Sequence, residues 1–284
     1  MNGVNDGKAV KFNRALSSVW LARFHPCRRE TMISDLAPDT RCADLLIRAY
    51  RDRTPVSAHP AQTPVDEVAA YAVQRAVWQA MVGADRPGAW KVGALSRDTI
   101  PVAAPIFPQR LAWSPARFQS GGFLGMGVEA EIAVRFERDL PIRALPYSRE
   151  EILDAIAGAH VAMELVDTRL SDAEAAGPFW RLADNLLNGA LVIGDEIPHW
   201  RELDFSDRIA RVLADGKCIA ETRGRPPLDD LFFCLPWWIG HVGGVRAGDI
   251  VTTGAWNGMH RVSMPVEATV EFVGLGAATA LLSR

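Results

Sequence analysis

Cysteine is scarce in this chain and carries no pattern. Cys27, Cys42, Cys218 and Cys234 contain no C-x-x-C pair and lie among apolar neighbours or near the N-terminus, which argues against a zinc ribbon and a disulfide framework. Reduced thiols in a cytoplasmic protein are expected. Charge of one sign is also missing. The chain has 31 Lys and Arg against 34 Asp and Glu, a net charge of −3, and its cations form no stripe interleaved with aromatics. Nucleic acid is therefore not expected as a partner. Long apolar runs are absent too: LFFCLPWWIGHVGGV is too short for a bilayer and contains Pro236 and His241, so no membrane span is expected. There is no G-x-S-x-G, and GGFLGMG neither follows a predicted strand nor opens a helix within a βαβ unit, so dinucleotide binding is not indicated.

What the chain does have is the composition of a globular protein, 49% hydrophobic and 23% charged over 284 residues, enough to bury a substantial core. Residues 1–31 are mainly basic, and their apolar segment is interrupted by Arg23 without a small-residue cleavage pattern. A flexible extension, or a misassigned start with Met32 as the true one, is expected there. Residues 32–88 read as a helical N-terminal part. Leu45, Leu46, Ala49 and Tyr50 recur at helical spacing, and DEVAAYAVQRAVWQAM forms a second amphipathic run. Residues 89–284 read as a β-rich core. AWKVGALS is a short strand, and residues 96–125, rich in Pro, Gly and Ser, are expected to form a long loop or lid. Ser148 and Glu151 make a capping box for a helix carrying Ile152, Ala155, Ile156 and Ala159 on one face. GALVIG reads as a buried strand, and ARVLADGKCIAE as a hairpin turning at Asp215-Gly216. A helix over 229–241, kinked at Pro236 and ended by Gly243-Gly244, then precedes the final strands. Helices followed by mostly strands, without βαβ alternation, predict an α+β fold.

Three carboxylates stand out. In GVEAEIAVRF, strand alternation turns Val128, Ala130, Ile132, Val134 and Phe136 to the core and leaves Glu129 and Glu131 side by side on the other face. Glu164 lies within the apolar AHVAMELVDTR. Like charges repel and a buried carboxylate is costly, so a hard cation such as Mg²⁺ or Mn²⁺ would reconcile the three. An E-x-E strand also occurs as an ordinary solvated face, and Glu164 could instead pair with an arginine such as Arg169. Lys91 on a strand is equally an edge charge or a salt-bridge partner. His160 and His241 read as core or interface histidines, and Trp237-Trp238 as an interface or a core helix.

The order of WKVGALS, GVEAEIAVRFERDLP, MELVDTR, DNLLNGALVIG, VRAGDIVTTGAWNG and VEATVEFVGLGAA resembles the 2-keto-4-pentenoate hydratase and 2-oxo-3-hexenedioate decarboxylase family of the fumarylacetoacetate hydrolase superfamily, from about Met32 to the end. That resemblance implies a fumarylacetoacetate hydrolase C-terminal-like β-rich core with a helical N-terminal part. It further implies an Mg²⁺ or Mn²⁺ site on Glu129, Glu131 and Glu164, and a catalytic Lys91. Asp184 of the family-like D-N motif is expected to be a catalytic-site residue that orients a ligand side chain or hydrogen-bonds the substrate, with capping of the turn before GALVIG as the alternative. Thr253 and Gly254 fall where the family brings backbone to the substrate, or are simply a strand end. Arg169 would receive a second carboxylate or pair with Asp167. A small 2-oxo acid is the implied substrate. A homo-oligomer, or a complex with a related decarboxylase or hydratase, is the implied assembly.

Two substrate oxygens, three carboxylates and a water would complete about six ligands, as Mg²⁺ prefers. Hydration of 2-hydroxypenta-2,4-dienoate through an enolate is the first expectation. Decarboxylation of 2-oxo-3-hexenedioate is the second. Acylpyruvate hydrolysis ranks lower, because related carbon–carbon hydrolases use a lid histidine and residues 96–128 contain none. A non-catalytic subunit is the alternative of a different class. The stretch LSRDTIPVAAPIF and the loop GAWNGMH depart from the family pattern where substrate choice is expected to be set.

Overall fold

Alternation over a period of two dominates this chain from residue 89 onward, and it builds two sheets packed face to face. The computed structural model describes residues 40–283 apart from Ala84; the extension expected for residues 1–31 lies outside them. Helices are α1 (Thr40–Asp52), α2 (Glu67–Met81), α3 (Arg149–Asp154), α4 (Pro178–Ala183) and α5 (Leu235–His241). The strands of the larger sheet are β1 (Ala89–Gly93), β2 (Val102–Pro105), β3 (Leu111–Trp113), β5 (Gly127–Phe136), β7 (Ile156–Val166), β8 (Asn188–Glu196), β12 (Ile250–Thr252) and β13 (His260–Arg261). A second sheet comprises β4 (Ala116–Gln119), β9 (Arg208–Ala214), β10 (Lys217–Gly224), β14 (Val266–Phe272) and β15 (Gly276–Ser283), and β6 (Leu140–Pro141) pairs with β11 (Gly244–Val245).

The order β2-β1-β12-β5-β7-β8-β3 puts β5 and β7 at the centre of the larger sheet, with β13 added on β5. Val128, Ala130, Ile132, Val134 and Phe136 are all fully buried, as alternation predicts, and they meet Val212, Ala268, Val270, Phe272 and Ala280 of the second sheet in one core. The opposite face of the larger sheet carries Glu129, Glu131 and Glu164, then a smaller apolar cluster of Ala133, Ala162, Leu191 and Ile193. The helices form a separate cluster. Asp66 caps α2 by accepting from Ala69 N at 2.8 Å, and Ala70, Val73 and Val77 pack with Leu46 of α1 and Trp180 of α4. Among the described residues no helix is long and apolar enough to cross a membrane.

Several elements differ from expectation. The segment over 96–125 is not one loop: it contributes β2 and β3 to the larger sheet and β4 to the second. Strands of three or four residues separated by Pro, Gly and Ser show too few periods to stand out. The capping box forms, with Glu151 N bonded to Ser148 Oγ and Ser148 N to the Glu151 carboxylate. The helix nevertheless ends at Asp154, and Ile156 already belongs to β7, because pairing along β5 captures the β-branched residues that follow. Pro236 does not kink a helix over 229–241. It lies in the first turn of α5, where its missing N–H costs nothing. Trp238 is fully buried against Phe136, and Trp237 is half-buried and stacked on His241 at 4.5 Å. The Asp215-Gly216 turn forms with both residues at positive φ, 49° and 76°.

The two sheets approach closely at Gly194 of β8. A Cβ there would meet the Ala277 carbonyl and lie 2.6 Å from Ala278 Cβ of β15. Gly194→Ala is expected to force the sheets apart and destabilise the fold by about 1–3 kcal/mol, read as a lower urea midpoint with an unchanged m-value.

Candidate metal centre

Register alone brings the acidic side chains together. In β5 and β7, Glu129 stands opposite Glu164, with Glu131 two residues along on the same face. On the other side of β5, the parallel pair β1 and β12 aligns Lys91 with Thr252, and Thr252 with Ala133 of β5. Lys91 therefore reaches the carboxylates from the neighbouring strands of the same face. Carboxylate oxygens of Glu129, Glu131 and Glu164 lie within 4.8 Å of one another. Glu164 and Glu131 are buried and Glu129 is half-buried.

Each acid is held differently. Glu164 Oε1 accepts from Lys91 Nζ at 2.6 Å and from Asn188 Nδ2 at 3.0 Å, whereas its Oε2 is buried without a hydrogen-bond partner. Glu131 Oε2 accepts from the Thr252 hydroxyl and from Gly254 N at 3.2 Å. Lys91 Nζ donates a second bond to the Leu186 carbonyl at 3.2 Å. Burial pushes the Glu129 carboxyl up to about 7, with the Glu164 charge adding to it and Lys91 opposing. Burial and then Glu164 raise Glu131 well above its ordinary value. Burial works against the Lys91 charge, but Glu164, Glu129 and Glu131 outweigh it and leave its pKa raised. With all four groups ionised, three carboxylates face one ammonium, a surplus of two negative charges.

That surplus, an all-oxygen donor set and the orphaned Glu164 Oε2 fit a hard divalent cation of the Mg²⁺ type. The same structure corrects the reading of Glu164 as a partner of Arg169. Arg169 is buried and bridges elsewhere: its Nε donates to Asp184 Oδ1 at 2.5 Å, Nη2 to Asp184 O at 2.7 Å and Nη1 to Asn188 O at 2.9 Å, with Asp167 3.7 Å away. Asp184 is fully occupied by Arg169 and the Thr168 hydroxyl and has no hydrogen bond to the three glutamates. Thr253 donates to the Ile132 carbonyl at 2.9 Å, and Gly254, at φ 107°, turns its N–H onto Glu131. Among the described residues no histidine hydrogen-bonds to the glutamates. His160 faces the Gly194 carbonyl, His241 packs on Tyr71 and Trp237, and His260 faces the Asn257 carbonyl.

Three contributors escaped the sequence reading. Thr252 sits beside the expected Thr253, Asn188 closes the same D-N-L-L-N stretch as Asp184, and Leu186 acts through its backbone. A polar residue opening the apolar strand GALVIG was the available signal for Asn188. Asn185, Leu186 and Leu187 adopt consecutive positive φ values of 51°, 51° and 62°, a left-handed run no composition rule marks without glycine.

Residues 109–280 match the family described as fumarylacetoacetate hydrolase C-terminal. A 2-keto-4-pentenoate hydratase of Paraburkholderia phymatum is 31% identical over 161 residues, 55% of this chain and 60% of the relative. The corresponding hydratase of Burkholderia vietnamiensis is 30% identical over the same shares. The match thus spans somewhat under two thirds of those relatives. A 4-oxalocrotonate decarboxylase of Pseudomonas putida, solved with magnesium and adipate, superposes with a TM-score of 0.70 at 17% identity, covering 91% of this chain and all of that one.

The raised carboxyls have a measurable consequence. In metal-free protein, Glu129 and Glu131 retain protons that the unfolded chain releases near 4.5. Their contribution to stability is complete below that value and is lost as the pH rises through about 7 for Glu129. Calorimetry in EDTA should show the wild-type Tm falling relative to Glu129→Gln between pH 4.5 and about 7. Mg²⁺ should raise the wild-type Tm more at pH 8 than at pH 5, since protons compete for the same oxygens.

Proposed function

Because the chain belongs to the fumarylacetoacetate hydrolase family, we propose that it is a divalent-metal-dependent hydratase of 2-hydroxypenta-2,4-dienoate or a similar 2-oxo-enoate. The observation that carries this reading is the cluster of Glu129, Glu131 and Glu164 with Lys91 hydrogen-bonded to one of them. Relatives named 2-keto-4-pentenoate hydratase support the choice of reaction. Glu129, Glu131 and Glu164 would hold Mg²⁺ or Mn²⁺, which when bound supplies a Lewis acid to polarise the ketone of a 2-oxo acid.

The protein's own groups account for the rest. Thr252 and Gly254 fix the Glu131 carboxylate, and Asn188 fixes Glu164, so neither acid has to reorganise when a ligand arrives. The Lys91 ammonium, held between Glu164 and the Leu186 carbonyl, lies beside the cluster as a hydrogen-bond donor for an oxygen that gains negative charge. In hydration, the dienol O–H proton leaves oxygen and a proton is added at the terminal carbon, giving the 2-oxo-3-enoate. Water then adds across the 3,4 double bond, with hydroxide to C4 and a proton to C3. Lys91 would hold a proton at the substrate oxygen during the first step. Ala133, Ala162, Leu191 and Ile193 continue the glutamate face as a buried apolar cluster.

An ultraviolet assay with freshly generated 2-hydroxypenta-2,4-dienoate tests this. The dienoate signal should decay with Mg²⁺ or Mn²⁺ and persist in EDTA. Lys91→Met should lower kcat by roughly 10²–10⁴-fold while leaving metal binding measurable, and Glu129→Gln should weaken metal binding itself. Turnover of 2-oxo-3-hexenedioate alone would replace hydratase by decarboxylase. Absence of both metal binding and turnover would favour a non-catalytic subunit.

A further inference from the structure

A second polar centre borders the 185–188 turn. It is a narrow cavity of about 20 Å³, lined by Tyr50, Arg53, Arg110, Asp167, Arg169 and Asn185 among others. Two of its walls end in polar atoms with nothing to bond. The Tyr50 hydroxyl is buried without a partner, and Asn185, 2% exposed, has an unpartnered Oδ1. Two guanidiniums also lack acids. Among the described residues neither Arg53 nor Arg110 forms an ion pair; Arg110 donates to the Gly122 carbonyl at 2.5 Å and lies over the Phe123 ring, and Arg53 Nη1 lies beside Gly121. Burial holds the Arg110 guanidinium below its ordinary pKa. Arg169, by contrast, is neutralised by Asp184.

We propose that this cavity is a recognition site for a single carboxylate group, with Arg53 and Arg110 as its charge partners and the Tyr50 hydroxyl and the Asn185 amide as its neutral ones. The charge balance selects a monoanion: two unpaired guanidiniums face the one carboxylate of Asp167, which already accepts from Leu124 N and Gly125 N. The size selects a small head. An interior of this volume takes about one or two oxygen-sized atoms, so the two oxygens of a carboxylate enter while the rest of the acid stays at the mouth, and a phosphate is too large. Asn185 Oδ1 has no partner where it stands, so exchanging the amide oxygen and nitrogen would break no bond of Oδ1 and would turn an N–H to the anion. The site is also connected to the glutamates. The turn that presents Asn185 gives its next carbonyl, Leu186 O, to Lys91, and Asn188 at its end bonds Glu164. The carboxylate could therefore come from a free small acid or from the far end of a dicarboxylate whose 2-oxo acid end sits at the glutamates; only the second source rests on the proposed function.

Sodium acetate titrated into the whole protein in EDTA, at constant ionic strength set with chloride, tests the site without metal or turnover. A saturable rise in Tm is expected, weakened roughly tenfold or more in Arg53→Gln and Arg110→Gln and partly kept in Arg53→Lys. The source is resolved with Mg²⁺ and paired 2-oxo acids of equal chain length, 2-oxohexanoate and 2-oxohexanedioate. If the diacid reaches the cavity, Arg53→Gln weakens its binding alone; if both bind as to wild type while acetate remains sensitive, a free acid is the ligand. Acetate that gives no saturable shift, or an equal shift in all three variants, overturns the proposal. Loss of metal-dependent turnover with an intact acetate response would instead reject the proposed reaction and leave this site standing.

Discussion

Three like charges in one buried place are the constraint around which this protein is arranged. Strand register sets Glu129 opposite Glu164 and Glu131 beside them, and at such separations in a poorly polarisable interior the repulsion exceeds anything a surface pair experiences. Lys91 removes only part of it. The ammonium pairs with Glu164 at 2.6 Å, leaving Glu129 and Glu131 to hold protons unless another cation arrives. The metal-free protein is therefore self-consistent at low pH and frustrated at high pH. A divalent cation held by the three carboxylates would relieve that frustration.

The rest of the fold makes the crowding tolerable. Burying one face of the larger sheet against the second sheet supplies the cohesion that a charged opposite face cannot. β5 and β7 are the longest strands, and they sit in the middle of the sheet, so the acids are carried by backbone with neighbours on both sides. A site on central strands moves less than one on loops. The helical cluster of α1, α2 and α4 stands apart from that core, joined to it through bonds such as Ala103 N of β2 to the Tyr71 hydroxyl of α2 at 3.1 Å.

The parts of this arrangement visible in the sequence are those governed by a short period. Alternation placed Glu129 and Glu131 together, and located Val128 through Phe136 in the core, because strand geometry acts within a few residues. Glu164 was visible as a charge out of keeping with its apolar run. What pairs with it was not, since Lys91 lies 73 positions away and the choice between Lys91 and Arg169 depends on sheet order. Short strands within 96–125 escaped for the opposite reason: β3 and β4 are held by neighbours in two different sheets, Ile193 and Ala280 among them, and hold little pattern of their own. The helix expected through Ala159 failed because local capping decides where a helix starts, whereas pairing along β5 decides where it must stop.

The Arg169–Asp184 pair acquires its meaning from the turn it encloses. Three successive left-handed residues without glycine, Asn185 to Leu187, cost about 1–2 kcal/mol each relative to ordinary backbone, and such a run persists only where its ends are over-determined. Arg169 supplies that. One guanidinium bonds the Asp184 side chain and carbonyl at the start of the turn and the Asn188 carbonyl at its end, clamping both ends at once. With the ends fixed, the Leu186 carbonyl has no choice but to face Lys91, and the Asn188 amide to face Glu164. A buried ion pair that touches none of the three acids thereby sets the positions of two of the groups around them, which is why Asp184 and Arg169 belong to the architecture of the site although neither reaches the glutamates.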